Sequence, residues 1–329
     1  MATQGSLIRA VDFNDVQEIL ARLLGDRISN YPNDSLAATY GYGQNLISGS
    51  VTRVIDIVEA GQINRLKADL NKIATHCGLQ ANPGDEVLAS HLVAYESCLN
   101  FLTTNRFELG VGQYSDETFA PVDISNSRTT AWGNNQIYNY IYGNGGSSVR
   151  HSFRINFGTV EKARYFFNSG GSIRFSASRV GGTNSYQNTS WTRTLNNMGT
   201  IVFNHNSCQS SNNKGTGSSI GFYQLTNDTK IVYTVTGDPT DSYLYAANDY
   251  TVAMSCNVAD NSRGGATYID VTVYFNDAHA PHVRNGHTIY SGDVVDGTLT
   301  SNVSIRRASG IYVNSPVPTA QNTIILSNN

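Results

Sequence analysis

The residues best equipped for chemistry stand close together in NDAHAPHVRNGH, where Asp277, His279, His282 and His287 place one carboxylate and three imidazoles in a short stretch. Imidazole and carboxylate are good ligands for first-row metals, and a loop can wrap several of them around one ion. The spacing matches no mechanical motif, however, since it lacks the His pair at i, i+4 with an intervening Glu that a helical zinc-protease site provides. Pro281 and Gly286 are turn formers. The expectation is a solvated loop between two strands, with no cofactor; a metal bound here would be structural.

A second pattern is aromatic. Tyr138, Tyr140 and Tyr142 alternate in NQIYNYIYGNGGSS, and Tyr40 and Tyr42 lie in TYGYGQNL. Alternating rings among Asn and Ser side chains could stack on sugars. They suit a subunit interface better, because tyrosine is favoured where one end of a side chain is apolar and the other wet. Asn144-Gly145-Gly146 lacks the Lys-Ser/Thr ending of a phosphate loop. The acids Asp116, Glu117, Asp123 and Glu161 offer no pair whose separation sequence alone can set, so nothing supports a glycosidase. Cys77, Cys98, Cys208 and Cys256 have no CxxC spacing and read as buried free thiols. The Asn-X-Ser/Thr sequons at Asn188, Asn227 and Asn302 would matter only on a secretory route, which no leader-like N-terminal segment signals. No nucleophile comes with a recognisable base, and an enzyme is not expected.

The elements that must position these residues change character near residue 110. Before it the period is helical: Asp12 can cap a helix with Phe13, Val16, Leu20 and Leu23 on one stripe. Ile63, Leu66, Leu70 and Ile73 form a second stripe, and Leu88, Leu92, Tyr95, Leu99 and Leu102 a third after Pro83-Gly84. Three such stripes expose more apolar face than a small bundle buries alone, which predicts docking onto a neighbour. Residues 31–50, rich in Tyr, Asn, Gly and Ser, read as a long loop or arm suited to the same task.

After residue 110 the period becomes two. Inward sets appear at His151, Phe153, Ile155 and Phe157; at Ile231, Tyr233 and Val235; at Tyr250, Val252, Met254 and Cys256; at Ile269, Val271, Val273 and Phe275; and at Leu299, Val303 and Ile305. Turn-rich residues 212–219 and 260–265 separate them, the latter as a hairpin. Between Ala163 and Phe203 the pattern is most explicit. Val160, Ala163 and Phe167 fall at helical spacing and Asn168-Ser169-Gly170-Gly171 stops that helix. A strand follows with Ile173, Phe175 and Ala177 on one face. Ser190 stands where an N-cap belongs for a helix carrying Trp191, Leu195 and Met198, which Gly199 ends before Ile201 and Phe203. Phe167, Phe175, Trp191 and Phe203 are the expected shared core.

The expected fold class is therefore α+β: a small helical N-terminal region, residues 1–110, followed by a large antiparallel, jelly-roll-like β-sandwich, residues 111–329, with short inserted helices. Composition agrees. Of 329 residues only 14 % are charged, the net charge is −3, and 19 Tyr outnumber 12 Phe, so surface polarity rests on hydroxyls and amides. No basic stripe marks a nucleic-acid partner. No apolar run approaches the roughly 20 residues of a membrane span, so membrane insertion is not expected. The chain shows no internal repeat and no long heptad run, which disfavours a needle-like shaft.

YFFNSGGSIRFSASRVGG, SWTRTLNNMGTIVF, SSIGFYQL and DGTLTSNV, together with VDFNDVQ, TYGYGQNLISGSV and AGQINRLKADL near the N-terminus, resemble segments of structural proteins from tailed bacteriophages, especially cyanophages. The resemblance spans most of the chain. It implies a virion protein of the tail, baseplate, fibre or neck, assembled in the host cytoplasm, with other virion proteins as partners and a trimeric or six-fold homo-oligomer as its state. It carries over no catalytic residues. The alternative function is a receptor-binding module that recognises host surface glycan.

Overall fold

The structure is a computed structural model that describes residues 9–24, 46–50, 58–74, 89–105, 114–117, 124–133, 147–168, 170–237, 245–278, 282–284, 288–290, 294–308 and 317–328. Three helices come first: α1 (Ala10–Leu24), α2 (Ala60–Ala74) and α3 (Ala89–Asn105). Phe13, Val16, Leu20 and Leu23 of α1 meet Ile63, Leu66 and Leu70 of α2 and Leu92, Tyr95 and Leu99 of α3 in one buried cluster. These members of the three stripes close on one another, since at i, i+3, i+4 spacing each stripe is narrow enough for its neighbours to cover; the side chains of Ile73, Leu88 and Leu102, expected on the same stripes, lie outside the described residues.

Helix entry is also handled differently from the expectation. Asp12 lies inside the first turn of α1, where its carboxylate reaches back to accept the Arg9 amide at 3.3 Å and the Arg9 guanidinium at 2.9 Å. Gln62 does the same for α2, accepting the Glu59 amide at 2.7 Å. Both are the N3 half of a capping box, which satisfies an amide the helix leaves open. The end of the expected arm is held by its own chain: buried Asp69 of α2 accepts the Ile47 amide at 2.9 Å, and the Ser48 amide and hydroxyl each at 2.7 Å. Residues 31–45 of that arm lie outside the described residues.

The β-region is an antiparallel sandwich. One sheet runs β1 (Tyr114–Glu117), β13 (Thr298–Ala308), β4 (Ser172–Val180), β5 (Ile201–Phe203), β6 (Cys208–Ser210), with β2 (Asn126–Arg128) also on β13. The other runs β14 (Thr319–Asn328), β3 (Ser147–Asn156), β10 (Tyr268–Asp277), β9 (Asp249–Cys256), β8 (Lys230–Thr236), β7 (Thr216–Gly217). A two-stranded ribbon, β11 (His282–Arg284) with β12 (Thr288–Tyr290), intervenes between β10 and β13. Among the described residues two helices are inserted, α4 (Val160–Asn168) and α5 (Tyr186–Met198). Tyr165 of α4 packs against the helical cluster and links the two regions.

Local signals explain the joints. Helix α4 ends as a Schellman motif, with the Gly170 amide on the Phe167 carbonyl, the Gly171 amide on that of Phe166, and Gly170 at φ +82°. The β9–β10 hairpin turns at Gly264, φ +66°, while buried Asn261 donates to the Phe222 carbonyl and accepts from the Ala266 amide. Phe167, Phe175, Trp191 and Phe203 lie in one continuous core. Phe167 stacks on Phe222 at 4.3 Å between ring centres and meets Phe203 edge-on at 6.0 Å; Trp191 meets Trp132 edge-on at 5.2 Å.

Two expectations within the sandwich are corrected. Helix α5 begins one turn earlier than expected: Ser185 is its N-cap, accepting the Asn188 amide at 3.1 Å, and Ser190 is buried inside the helix. The first turn carries no apolar side chain inward, so it gives no stripe for a sequence reading to find. Ile231, expected inward, is 63 % exposed, because β8 bulges between Ile231 and Tyr233 and the extra residue, Val232, takes the buried place. A single inserted residue exchanges the faces of a strand.

Candidate functional site

Asp277 is the last residue of β10 and fully buried, continuing the inward parity of Ile269, Val271, Val273 and Phe275; it is therefore core, and not part of a solvated loop. His282 falls in β11, while His279 and His287 lie outside the described residues. Among the described residues no three His, Cys, Asp or Glu side chains come together as a metal site. Tyr40, Tyr42, Tyr138, Tyr140 and Tyr142, the expected interface, also lie outside the described residues. Cys208 and Cys256 are buried free thiols, and burial pushes Cys208 up to about 12, far from a reactive thiolate.

The segments SRVGG, SWTRTLNN and DGTLTSNV, remote in sequence, meet at the start of α5. Arg179 falls on the inward parity of β4, only 5 % of its side chain exposed, and ion-pairs at 3.3 Å with Asp296, which precedes β13 and is 25 % exposed. The guanidinium also donates to the Gly181 carbonyl at 2.9 Å and the Thr192 hydroxyl at 3.1 Å. Asp296 accepts the Thr183 amide at 3.0 Å, the Thr183 hydroxyl at 3.0 Å and the Asn188 carboxamide, while its own amide donates to Asn188 Oδ1 at 3.1 Å. Gly182, at φ +76°, lets the backbone approach: a Cβ there would lie 2.5 Å from the Asp296 carboxylate and 2.7 Å from the Gly297 amide. Burial acts to raise the Asp296 carboxyl, but the Thr183 amide and the Asn188 and Thr183 side chains outweigh it and hold it below its usual range. The arrangement locks a helix to the end of β4 and the start of β13. Sequence reasoning passed over it, although a charged residue at an inward position of β4 was a usable signal.

Between the sheets, His151 of β3 accepts the Ser301 hydroxyl of β13 at Nδ1, 3.1 Å, and donates from Nε2 to Asn322 Oδ1 of β14 at 2.9 Å. Burial pushes the imidazole below its ordinary pKa, partly opposed by the Asn322 bond. It is a neutral core histidine that bridges the sandwich layers.

The outer face of the second sheet carries a different surface. Strand register aligns Ser148, Asn276, Asp249 and Thr236 in one rung, Arg150, Tyr274, Thr251 and Thr234 in the next, and Ser152, Thr272, Ala253 and Ile231 in a third. A groove of about 600 Å³ opens over these rungs, lined by Ser148, Tyr274, Asn276, Asp249, Thr251, Ala253, Ile231 and flanking threonines. Asp249 Oδ1 accepts the Thr251 hydroxyl at 2.6 Å and the Asn276 amide at 2.8 Å; Thr251 and Thr234 hydroxyls lie 3.0 Å apart. The outward parity of these strands was legible in the sequence, but their alignment was not. Among the described residues, no helix is long and apolar enough to cross a membrane. Comparison with protein-family models, with curated proteins and with solved structures gave no match to this chain.

Proposed function

We infer that this chain is a structural protein of a tailed-phage virion, in the tail, baseplate, fibre or neck, which acts through contact surfaces as a homo-oligomer and performs no chemistry of its own. One observation carries the reading. Three of the segments that resemble phage structural proteins supply Arg179, Thr192 and Asp296 to the lock around Asn188, so that part of the resemblance falls on the joint between α5 and the facing ends of β4 and β13, a piece of architecture. The helical cluster and the sandwich, each with its own core, supply two bodies that separate neighbours can grip.

The test is co-purification of the chain with gradient-banded phage particles, followed by quantitative mass spectrometry. The reading expects retention through high-salt washing at a copy number divisible by three. Recovery of the chain only in the soluble lysate overturns it. So does hydrolysis of purified host polysaccharide by the isolated chain, abolished by changing one Asp or Glu. A second reading, recognition of host surface glycan, is favoured by the hydroxyl- and amide-lined groove on the outer sheet face.

A further inference from the structure

We propose that the groove over β9, between β8 and β10, is a binding site for a neutral hexopyranose unit of a glycan, with Asp249 and Asn276 as its hydrogen-bonding pair. This rests on the recognition reading and assigns it a site. The first observation is shape. A strand on the outside of a sandwich normally shows one face to solvent, yet Thr251 and Ala253 of β9 are buried on the outer side, Ala253 being only 4 % exposed. They form a floor. Ile231, 63 % exposed because of the β8 bulge, stands as one wall and Tyr274 as the other. The volume of about 600 Å³ lies within the ~300–1,000 Å³ range of small-ligand clefts.

The second observation is hydrogen-bond direction. A carboxylate only accepts, so the Thr251 hydroxyl commits its single hydrogen to Asp249, and Thr234 in turn donates to Thr251. Asn276 gives one amide hydrogen to the same Asp249 Oδ1. The pair is thereby held rigidly across adjacent strands, while among the described residues Asp249 Oδ2, the second Asn276 amide hydrogen and the Asn276 side-chain carbonyl carry no hydrogen bond and stay available to a ligand. Ser148 Oγ, shielded from solvent, has no hydrogen-bond partner among the described residues. The groove thus offers strong acceptors beside a donor, which matches vicinal hydroxyls: one donates to the carboxylate, and its neighbour bonds with the amide.

The third observation is the mixture of surfaces. A pyranose has an apolar C–H face as well as a polar edge. Tyr274, Ala253 and Ile231 offer apolar area next to the polar pair, and a single carboxylate without a cation in the groove lining disfavours an anionic ligand.

Saturation-transfer difference NMR on the full chain decides the matter. The probes are the methyl glycosides of glucose, galactose, mannose and N-acetylglucosamine, with N-acetylneuraminic acid as the charged control. The expected result is saturation transfer to at least one neutral glycoside, with Kd weakened at least tenfold by Asp249→Ala. Ile231→Asp, on an exposed side chain that the fold does not need, should weaken it at least threefold and guards against misfolding of the first variant. Silence from all four neutral glycosides overturns the proposal. So does unaltered binding in both variants, or transfer to the charged sugar alone. Failure here leaves co-purification with particles untouched, so the virion reading and the groove stand or fall separately.

Discussion

Trp191 and His151 show what single side chains contribute. Trp191 is buried against Trp132 and Phe275, and its removal leaves a cavity the two sheets cannot close over. Trp191→Ala is expected to cost about 3–5 kcal/mol in denaturant unfolding; an unchanged midpoint would refute its place in the core. His151 sets a pH dependence. Its folded pKa is depressed by burial, so below the unfolded value of about 6.5 the unfolded chain binds more protons. The stability it contributes is fully present above that value and declines as pH falls toward the folded pKa. Melting temperature should therefore drop between pH 7.5 and 5.5, and His151→Gln should flatten that segment. Asp296 has the same sign lower down: its stabilisation is present above about 3.9 and lost as pH falls through the depressed folded value.

The elements are decided at their ends and irregularities. Ser185, and not Ser190, caps α5, so Ser185→Ala should destabilise by about 0.5–2 kcal/mol through the lost bond to the Asn188 amide. Equal cooperativity and midpoint in the variant would remove Ser185 from that role. The β8 bulge makes a sharper claim about parity. Ile231→Lys should leave thermal melting nearly unchanged, whereas Val232→Lys should unfold the sandwich, since it places a charge in the core. Reversal of that order would mean that β8 runs without its bulge.

At the scale of the whole molecule, the two hydrophobic clusters give each region its own core, bridged at Tyr165. Removing residues 1–50 deletes α1 and opens the helical cluster, so it would confound docking with unfolding. Removing residues 1–110 is the cleaner cut. The remaining sandwich is expected to melt cooperatively, with a β-type circular dichroism spectrum, and to fail to enter particles. Normal incorporation of that fragment would move the docking surface to the sandwich.

Periodicity by itself determined the α+β class, the change of pattern near residue 110, the inward sets of β3, β9, β10 and β13, and the burial of Phe167, Phe175, Trp191 and Phe203, because side-chain parity and apolar spacing are local properties of the chain. The same parity runs on to Arg179 and Asp277, yet Arg179 was passed over and Asp277 was expected in a solvated loop, because charge argues against burial until a partner is known. Tertiary structure alone decided the rest. Whether three apolar stripes seek a neighbour depends on how the helices close, and closure is a property of packing. The bulge that turns Ile231 outward comes from pairing with β9, and the anchoring of the first turn of α5 through the Asn188 side chain comes from Asp296, over a hundred residues away. The groove arises in the same way. Ser148, Asn276, Asp249 and Thr236 share a rung only through the register of four strands, and register is set by the whole buried face rather than by any residue in the rung.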